Sequence, residues 1–322
     1  MSKGPVVVCM GEALVDFVAT EIGVDVGQAR TFMKASGGAV ANTAVGLARL
    51  DINSRFVSKV GSDPFGRFLR EALSKEGVDT SAFLVSEKYP TGLVFVALDK
   101  DRVPRYHFIG DTTADMMITE DEVGPELLKD AVFLHAGSVS MVREESLRAT
   151  FKLIRLANEL KVKVSFDPNF RLHLWKDHEK VKALALEAAA MAELIKLNRE
   201  ELRFMTGEEE PKAGARKLLE MGVEVVVVTL GPDGAYYLSR DSEGMEPGFC
   251  VEVVDTTGAG DGFSAGLLAV LAYREWPPLN STLAHAVRLA NAVGAMVTTA
   301  IGAVSSLPSR PEVDSFLERK FK

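Results

Sequence analysis

Short apolar runs and longer helical patterns alternate along most of the chain. Val6–Met10, Arg55–Val60, Ala131–Ala136, Val162–Phe166, Leu194–Leu197 and Val223–Thr229 are apolar runs of strand length. Between them, Ala39–Leu50, Pro64–Glu76, Glu144–Leu160, Glu179–Ala192 and Lys212–Met221 read as helices. Pro64 suits a first helical turn, where its missing N–H costs nothing. Val225–Val228 is unbroken β-branched sequence, as expected of a strand covered on both faces. This βα alternation predicts an α/β fold: a mostly parallel central sheet with helices on both faces. Two segments depart from it. Ala13–Arg30 and Thr91–Phe108 alternate like half-exposed strands, and Leu93–Leu98, the turn-like Asp99-Lys100-Asp101 and Val103–Phe108 predict a hairpin. Residues from about 13–35 and 91–112 are expected to form a small β-sheet projecting from the main one, as a lid, a homodimer surface or both. No repeat or linker divides the sequence, so one domain is expected over residues 1–322.

The chain has 322 residues, of which 47% are hydrophobic, enough for a large core. A net charge of −8 argues against a general nucleic-acid binder but leaves room for a local phosphate pocket. The first apolar run is short and is followed at once by Glu12 and Asp16, unlike a signal peptide. The longest apolar helical run, near Phe263–Tyr273, is too short to span a bilayer. A soluble, cytoplasmic protein without a membrane partner is expected. Cys9 and Cys250 follow no metal-ligand spacing; both lie in apolar runs and are expected in the core. The five histidines are dispersed and read as structural or surface residues.

The chemistry is concentrated in glycine-rich turns. Val253-Val254 leads into Asp255-Thr256-Thr257-Gly258-Ala259-Gly260-Asp261-Gly262, which opens a helix. Free N–H groups and the positive end of a helix dipole form an anion site there. Asp261 stands inside that site. A passive phosphate cradle would exclude a carboxylate, whereas a base that deprotonates an attacking hydroxyl belongs in it. No Gly-Lys-Ser/Thr follows, and a dinucleotide fingerprint would need glycine where Phe263 stands. The turn therefore points to phosphoryl transfer from a nucleotide to an alcohol. The plainer reading is a tight helix start with a first-turn acid.

Gly37-Gly38-Ala39-Val40-Ala41-Asn42 is a second glycine turn entering a helix, either a close backbone approach to a ligand or a hinge. Asp16 could accept hydrogen bonds from sugar hydroxyls, or be a solvated turn residue. Asp167-Pro168-Asn169-Phe170-Arg171 follows a strand, where ligands bind on parallel sheets, and Arg171 could hold a hydroxyl or phosphate; Asp-Pro-Asn is also an ordinary turn. Asn198-Arg199-Glu200-Glu201 has the spacing of a capping box, and Glu201 could instead orient water on a phosphate-bound magnesium ion. Thr229-Leu230-Gly231-Pro232-Asp233-Gly234 reads as a turn between strands and as a backbone shelf for nucleotide phosphates.

Gly37–Asn42, Val60-Gly61-Ser62-Asp63-Pro64-Phe65-Gly66, Asn198–Glu201 and Asp255–Asp261 occur in the order found in the ribokinase-like (phosphofructokinase-B type) carbohydrate kinases, which the chain resembles over nearly its whole length. Within that family it is most similar to fructokinases, through Thr113–Met117, His135–Ser140 and Asp167–Trp175. The resemblance implies an ATP-dependent kinase that phosphorylates a primary hydroxyl, most simply fructose to fructose 6-phosphate. It implies Asp261 as base and the N–H groups of Gly258, Ala259 and Gly260 as anion hole. It also implies sugar contacts at Asp16, Gly37, Gly38, Asn42 and Arg171. Asn198, Glu201, Thr229, Gly231, Gly234 and Asn291 would surround ATP and Mg²⁺, with Glu201 acting through water. Asp255, Thr257, Gly302 and Ser306 match positions that bind a monovalent cation, K⁺, in some members. One departure stands out. Fructokinases tend to carry an aromatic–arginine pair shortly before the Ala114-Asp115 segment, where this chain reads Phe108-Ile109-Gly110, with Arg105 nearby. Other acceptors consistent with the family are 2-keto-3-deoxygluconate, ribose or a nucleoside such as aminoimidazole riboside. Outside it, a nucleotide-dependent oxidoreductase would need an early Gly-x-Gly-x-x-Gly, where the chain has Gly11-Glu12-Ala13-Leu14. A silent sugar-binding regulator would not need Asp261 in its glycine turn.

Overall fold

The computed structural model describes residues 4–100, 104–110 and 112–320. Asp101 and Val103 of the expected hairpin, and the two ends of the expected 1–322 domain, lie outside the described residues. In chain order the elements are β1 (Val6–Met10), β2 (Leu14–Ile22), β3 (Phe32–Gly37), α1 (Ala39–Arg49), β4 (Asn53–Gly61), α2 (Pro64–Lys75), β5 (Phe83–Ser86), β6 (Gly92–Leu98), β7 (Pro104–Ile109), β8 (Ala131–Gly137), α3 (Glu144–Glu159) and β9 (Lys163–Asp167). They continue with α4 (His178–Ala190), β10 (Leu194–Asn198), α5 (Arg199–Thr206), α6 (Pro211–Glu220), β11 (Val225–Thr229), β12 (Ala235–Ser239), β13 (Glu243–Glu246), α7 (Ala259–Leu271), α8 (Asn280–Val297), α9 (Ala303–Ser306) and α10 (Arg310–Lys320).

Nine strands form one sheet in the order β13-β12-β11-β10-β9-β8-β1-β4-β5. Its pairings are parallel except where β12 joins β11 and β13. Strand side chains alternate between two cores, as the two-residue period requires. Val7, Cys9, Val225 and Val227 face α1, α7 and α8, while Val8, Met10, Val226 and Val228 face α3 to α6. Val225–Val228 are wholly buried, which is why the segment tolerates no polar position. Each such valine contributes about 1.5–3 kcal/mol of transfer free energy.

Helices α7 and α8 sit unusually close. A Cβ on Gly266 would stand 2.9 Å from Ala290 Cα, and one on Gly262 would stand 2.8 Å from Val297 Cγ2. Glycine at these positions lets α8 brace the first turns of α7.

The second sheet has the order β3-β2-β6-β7. Its own core is small: Leu14, Val94 and Val96, with Val18, Tyr106 and Phe108 packed against them. Elsewhere in the sheet Phe17 stacks on Phe95 at 5.0 Å and meets Phe65 of α2 edge-on. The chain crosses between the two sheets four times, at β1–β2, β3–α1, β5–β6 and after β7. Asp63 pins one crossing. Its carboxylate caps Phe65 and Gly66 at the start of α2 and also accepts from Thr91 N and Oγ1.

One expectation is corrected. Cys9 is buried, but Cys250 is exposed. It lies in the irregular stretch between β13 and α7, where Phe249 turns inward onto Phe316 and the neighbouring thiol points away from the core. Apolar neighbours without a strand period did not make a buried strand. No helix among the described residues is long and apolar enough to cross a membrane.

Candidate active site

A cleft of about 410 Å³ lies where β9, β10 and β11 end and the small sheet overhangs them. This is the usual ligand position on a parallel sheet. The strand ends supply Asn198 and Thr229 to it, and Asp167 ends β9 just behind.

Asp261 is in the first turn of α7 and is only 7% exposed. Two amides hold its carboxylate: Asn42 Nδ2 donates to Oδ2 at 2.8 Å, and Asn169 Nδ2 donates to Oδ1 at 3.1 Å. Burial pushes its pKa up to about 6, with nearby Asp167 adding to the rise and the Asn42 hydrogen bond opposing it. The turn before it needs glycine twice over. Gly258 has φ 80°, and a Cβ there would stand 2.6 Å from Ala303 Cβ. Ala259 N donates to Thr256 O at 3.2 Å, while the N–H groups of Gly258 and Gly260 have no backbone acceptor among the described residues. Gly258 and Gly260 line the same cleft as Asp261.

Lys196 is the cleft's buried cation. It projects from β10, and its Nζ donates to Asp167 Oδ2 at 2.9 Å, where Ser264 Oγ donates as well. Burial works against its charge, but Asp167, Glu201 and Asp261 outweigh that and hold its pKa above the ordinary value. A Cβ on Gly260 would lie 3.0 Å from Lys196 Nζ, so the ammonium sits against the glycine turn.

On the small-sheet side stand Asp16, Gly38, Asn42 and Arg171. Burial pushes Asp16 up to about 7, with Arg171 opposing. A side chain on Gly37 would collide with the Asp16 carboxylate, and one on Gly38, at φ 109°, with the Glu12 carbonyl. Glu12 Oε1 in turn accepts from Ala39 N at 2.6 Å, capping α1. Arg171 donates to Asn169 Oδ1 at 2.6 Å and lies over the Tyr106 ring. Beyond Tyr106 and Phe108 the cleft widens into a second space of about 830 Å³, whose wall includes Gly110, Asp115 and His173. Gly110 has φ 88°, and an added Cβ would meet nothing within 4 Å, so a side chain there would have room at its root but strain the backbone.

At the other end are Asn198, Glu201, Thr229 and Gly231. Asn198 and Glu201 form a full capping box on α5, and Glu201 Oε1 also accepts from Phe170 N at 3.1 Å. Gly234 and Asn291 stand off the cleft wall. A Cβ on Gly234 would strike Glu246 O, and Asn291 donates to Glu246 O and Pro247 O. Both shape the chain that approaches α7.

Asp255, Thr257 and Gly302 line a separate cavity of about 230 Å³ beside Asp16. The Asp255 carboxylate accepts from Thr257 N, Thr257 Oγ1 and Gly302 N, and Ser306 Oγ donates to Gly302 O. Asp255 takes part in no salt bridge among the described residues.

The sequence reading missed Asn169, Lys196 and Glu12. Lys196 carried a usable signal, a single charge inside the buried strand Leu194-Ile195-Lys196-Leu197. Asn169 carried none beyond its place after a strand.

A buried carboxylate held by two amides, a glycine turn at a helix start and a buried cation share one cleft, an arrangement suited to phosphoryl transfer. The pfkB family carbohydrate kinase model matches residues 5–310, and the chain belongs to that family. It is 38% identical to fructokinase-1 of Zea mays over 316 residues, covering 97% of this chain and 98% of the relative. A double mutant of the Vibrio cholerae O395 fructokinase, solved with fructose, ADP and potassium ion, superposes with a TM-score of 0.88 at 32% identity, covering 98% of this chain and 99% of that one. Aminoimidazole riboside kinase from Salmonella enterica, solved with its riboside and an ATP analog, gives a TM-score of 0.84 at 29% identity, covering 97% and 99%.

Proposed function

We propose that this carbohydrate kinase transfers the γ-phosphoryl group of ATP to the 6-hydroxyl of fructose. The observation that carries the reading is Asp261, held by two amides in the cleft that Gly258 and Gly260 also line. The Asp261 carboxylate takes the proton as the hydroxyl oxygen bonds to the γ-phosphorus and the bond to the leaving ADP oxygen breaks. The transition state is loose, so positioning and charge neutralisation carry most of the rate. Gly258 and Gly260, with Lys196, meet the developing charge, whereas the Ala259 N–H expected beside them is already bonded to Thr256 O; each donor of such a hole is worth about 2.7–4 kcal/mol. Asp16, Gly37, Gly38, Asn42 and Arg171 orient the sugar, and the small sheet is the lid that excludes water. Asn198, Thr229, Gly231, Gly234 and Asn291 form or support the nucleotide end.

Glu201 faces the cleft with lone pairs left beyond its two N–H contacts, which suits a magnesium ion that keeps its own waters. When bound, the ion neutralises phosphate charge. Asp255, buried among N–H and O–H donors and in no salt bridge among the described residues, suits a potassium ion together with Thr257, Gly302 and Ser306. Exposed Ile22, Met33 and Ile109 on the small sheet support pairing of two copies, which sedimentation would test. A cytoplasmic setting completes the reading.

The deciding experiment is ADP release with fructose, ribose, 2-keto-3-deoxygluconate and aminoimidazole riboside. Fructose is expected to give the highest kcat/KM. A higher value for the riboside would move the assignment to the wide space beyond Phe108.

A further inference from the structure

We propose that a small void behind Asp261 holds one water molecule, and that this water passes the proton taken by Asp261 to Glu12 during turnover. The inference rests on the reading of Asp261 as the base. The void has a volume of about 10 Å³, and its wall includes Glu12, His135, Ser138, Asp167 and Asp261. That is about the space one water needs. Three buried atoms of this wall, Glu12 Oε2, Ser138 Oγ and Asp167 Oδ1, have no hydrogen-bond partner. Their residues are 4%, 1% and 4% exposed. Unpaired buried polar atoms are costly, and a water with roughly two to four polar partners removes the cost.

The wall leaves one acceptor for the proton. Asp167 is ion-paired with Lys196 through Oδ2, which also accepts from Ser264. His135 shares Nδ1 with Ser165 Oγ, and burial holds its pKa down to about 4, so it stays neutral. Ser138 carries no stable charge. Glu12 uses Oε1 on Ala39 N, which leaves Oε2 open. Burial raises Glu12 to about 6, close to Asp261, so the transfer is nearly balanced. Arg171 faces both carboxyls and lowers both. Asp115 raises Glu12; Asp167 raises Asp261 and Lys196 lowers it. Asp16 faces both as well. The hydroxyl proton goes to Asp261; protonated Asp261 gives a proton to the water, and the water gives one of its own to Glu12 Oε2. Glu12 also lines the open cleft, where it returns the proton once product leaves.

Two variants test this. Glu12→Gln keeps an oxygen for Ala39 N but cannot accept the proton, and Ser138→Val fills the void with carbon. Each is expected to lower kcat on the order of tenfold, less than the 10²–10⁴ of the base itself, with both KM values within about twofold. The acid limb of log kcat against pH should fall with a slope of roughly two in the parent and roughly one in Glu12→Gln, because one of two required carboxylates is gone. A folded Glu12→Gln with parental kcat and parental slope overturns the proposal. Should both variants fail to fold, the proton inventory of the parent in H₂O/D₂O mixtures decides: a curved plot supports the relay, and a linear one overturns it. Asp261→Asn separates the two readings. Near-normal turnover by that variant sinks the base itself, whereas an inactive Asp261→Asn beside a normal Glu12→Gln sinks only the relay.

Discussion

Replacing Asp261 by asparagine should nearly abolish activity while making the protein more stable at alkaline pH. The carboxylate sits between two amide donors, Asn42 Nδ2 and Asn169 Nδ2. An asparagine brings one donor where there were only acceptors, so one neighbour must turn. Asn42 can, because its Oδ1 has no partner and becomes the acceptor after a flip. The substitution therefore needs no backbone movement. The electrostatic gain follows from the raised pKa. Asp261 moves from 3.8 to about 6 through burial, with Asp167 adding to it. That difference corresponds to about 3 kcal/mol. Below about pH 4 the carboxyl is protonated in both folded and unfolded chains, so the variant gains nothing. As pH rises through about 6 the folded protein acquires a buried charge, and the stabilisation present in the protonated form is lost. Asparagine avoids this. For a chain of this size the gain at pH 8 is about 4 °C in Tm. Calorimetry at pH 4 and pH 8, with ADP release at saturating substrates, measures both effects. Activity should fall by about 10²–10⁴-fold. A loss under tenfold refutes the base, and a variant no more stable than the parent at pH 8 refutes the burial argument.

Lys196→Met leaves Asp167 buried without its cation, which costs about 3–5 kcal/mol of stability. Urea unfolding should show it, and Asp167→Asn in the same chain should recover part. Equal stability of single and double variants argues against the pair. Gly258→Ala forces a side chain into φ 80° and against Ala303. It should cost about 1–3 kcal/mol and lower kcat by more than about tenfold as the free N–H groups shift. Unchanged kcat removes the anion hole from this turn. kcat/KM for the sugar should decline as pH falls through about 7 and then about 6, as Asp16 and Asp261 take up protons. A flat profile across that range contradicts both assignments.

The parallel sheet was legible because its strands are short, mainly apolar runs separated by helical patterns. Val225–Val228 shows this best, since burial on both faces leaves no polar position to confuse the period. The glycine turns were legible because positive φ at Gly38 and Gly258 admits little else. Helix α8 escaped notice. Its Ala-rich sequence has small residues on several faces, so its burial arises from contact with α7 rather than from a clear apolar stripe. Cys250 misled for the opposite reason, apolar neighbours in a stretch without period. Asn169 and Glu12 were invisible in role, because each acts through a partner distant in sequence, Asp261 for one and the start of α1 for the other.

The chain passes between the two sheets four times, yet among the described residues the small sheet's separate core cluster is Leu14, Val94 and Val96. It consists of two insertions into the frame, one between β1 and α1 and one between β5 and β8, and so small a core leaves it dependent on that frame. On the proposed reading it carries Asp16 and Tyr106, while Asp261, Lys196 and the glycine turn belong to the frame. On that reading the sugar-facing wall is shared, since Gly38, Asn42 and Arg171 belong to the frame, so changes in the two insertions would tune acceptor choice with the phosphate chemistry inherited unchanged. A chimera bearing another family member's paired insertions would be the laboratory form of that evolutionary step.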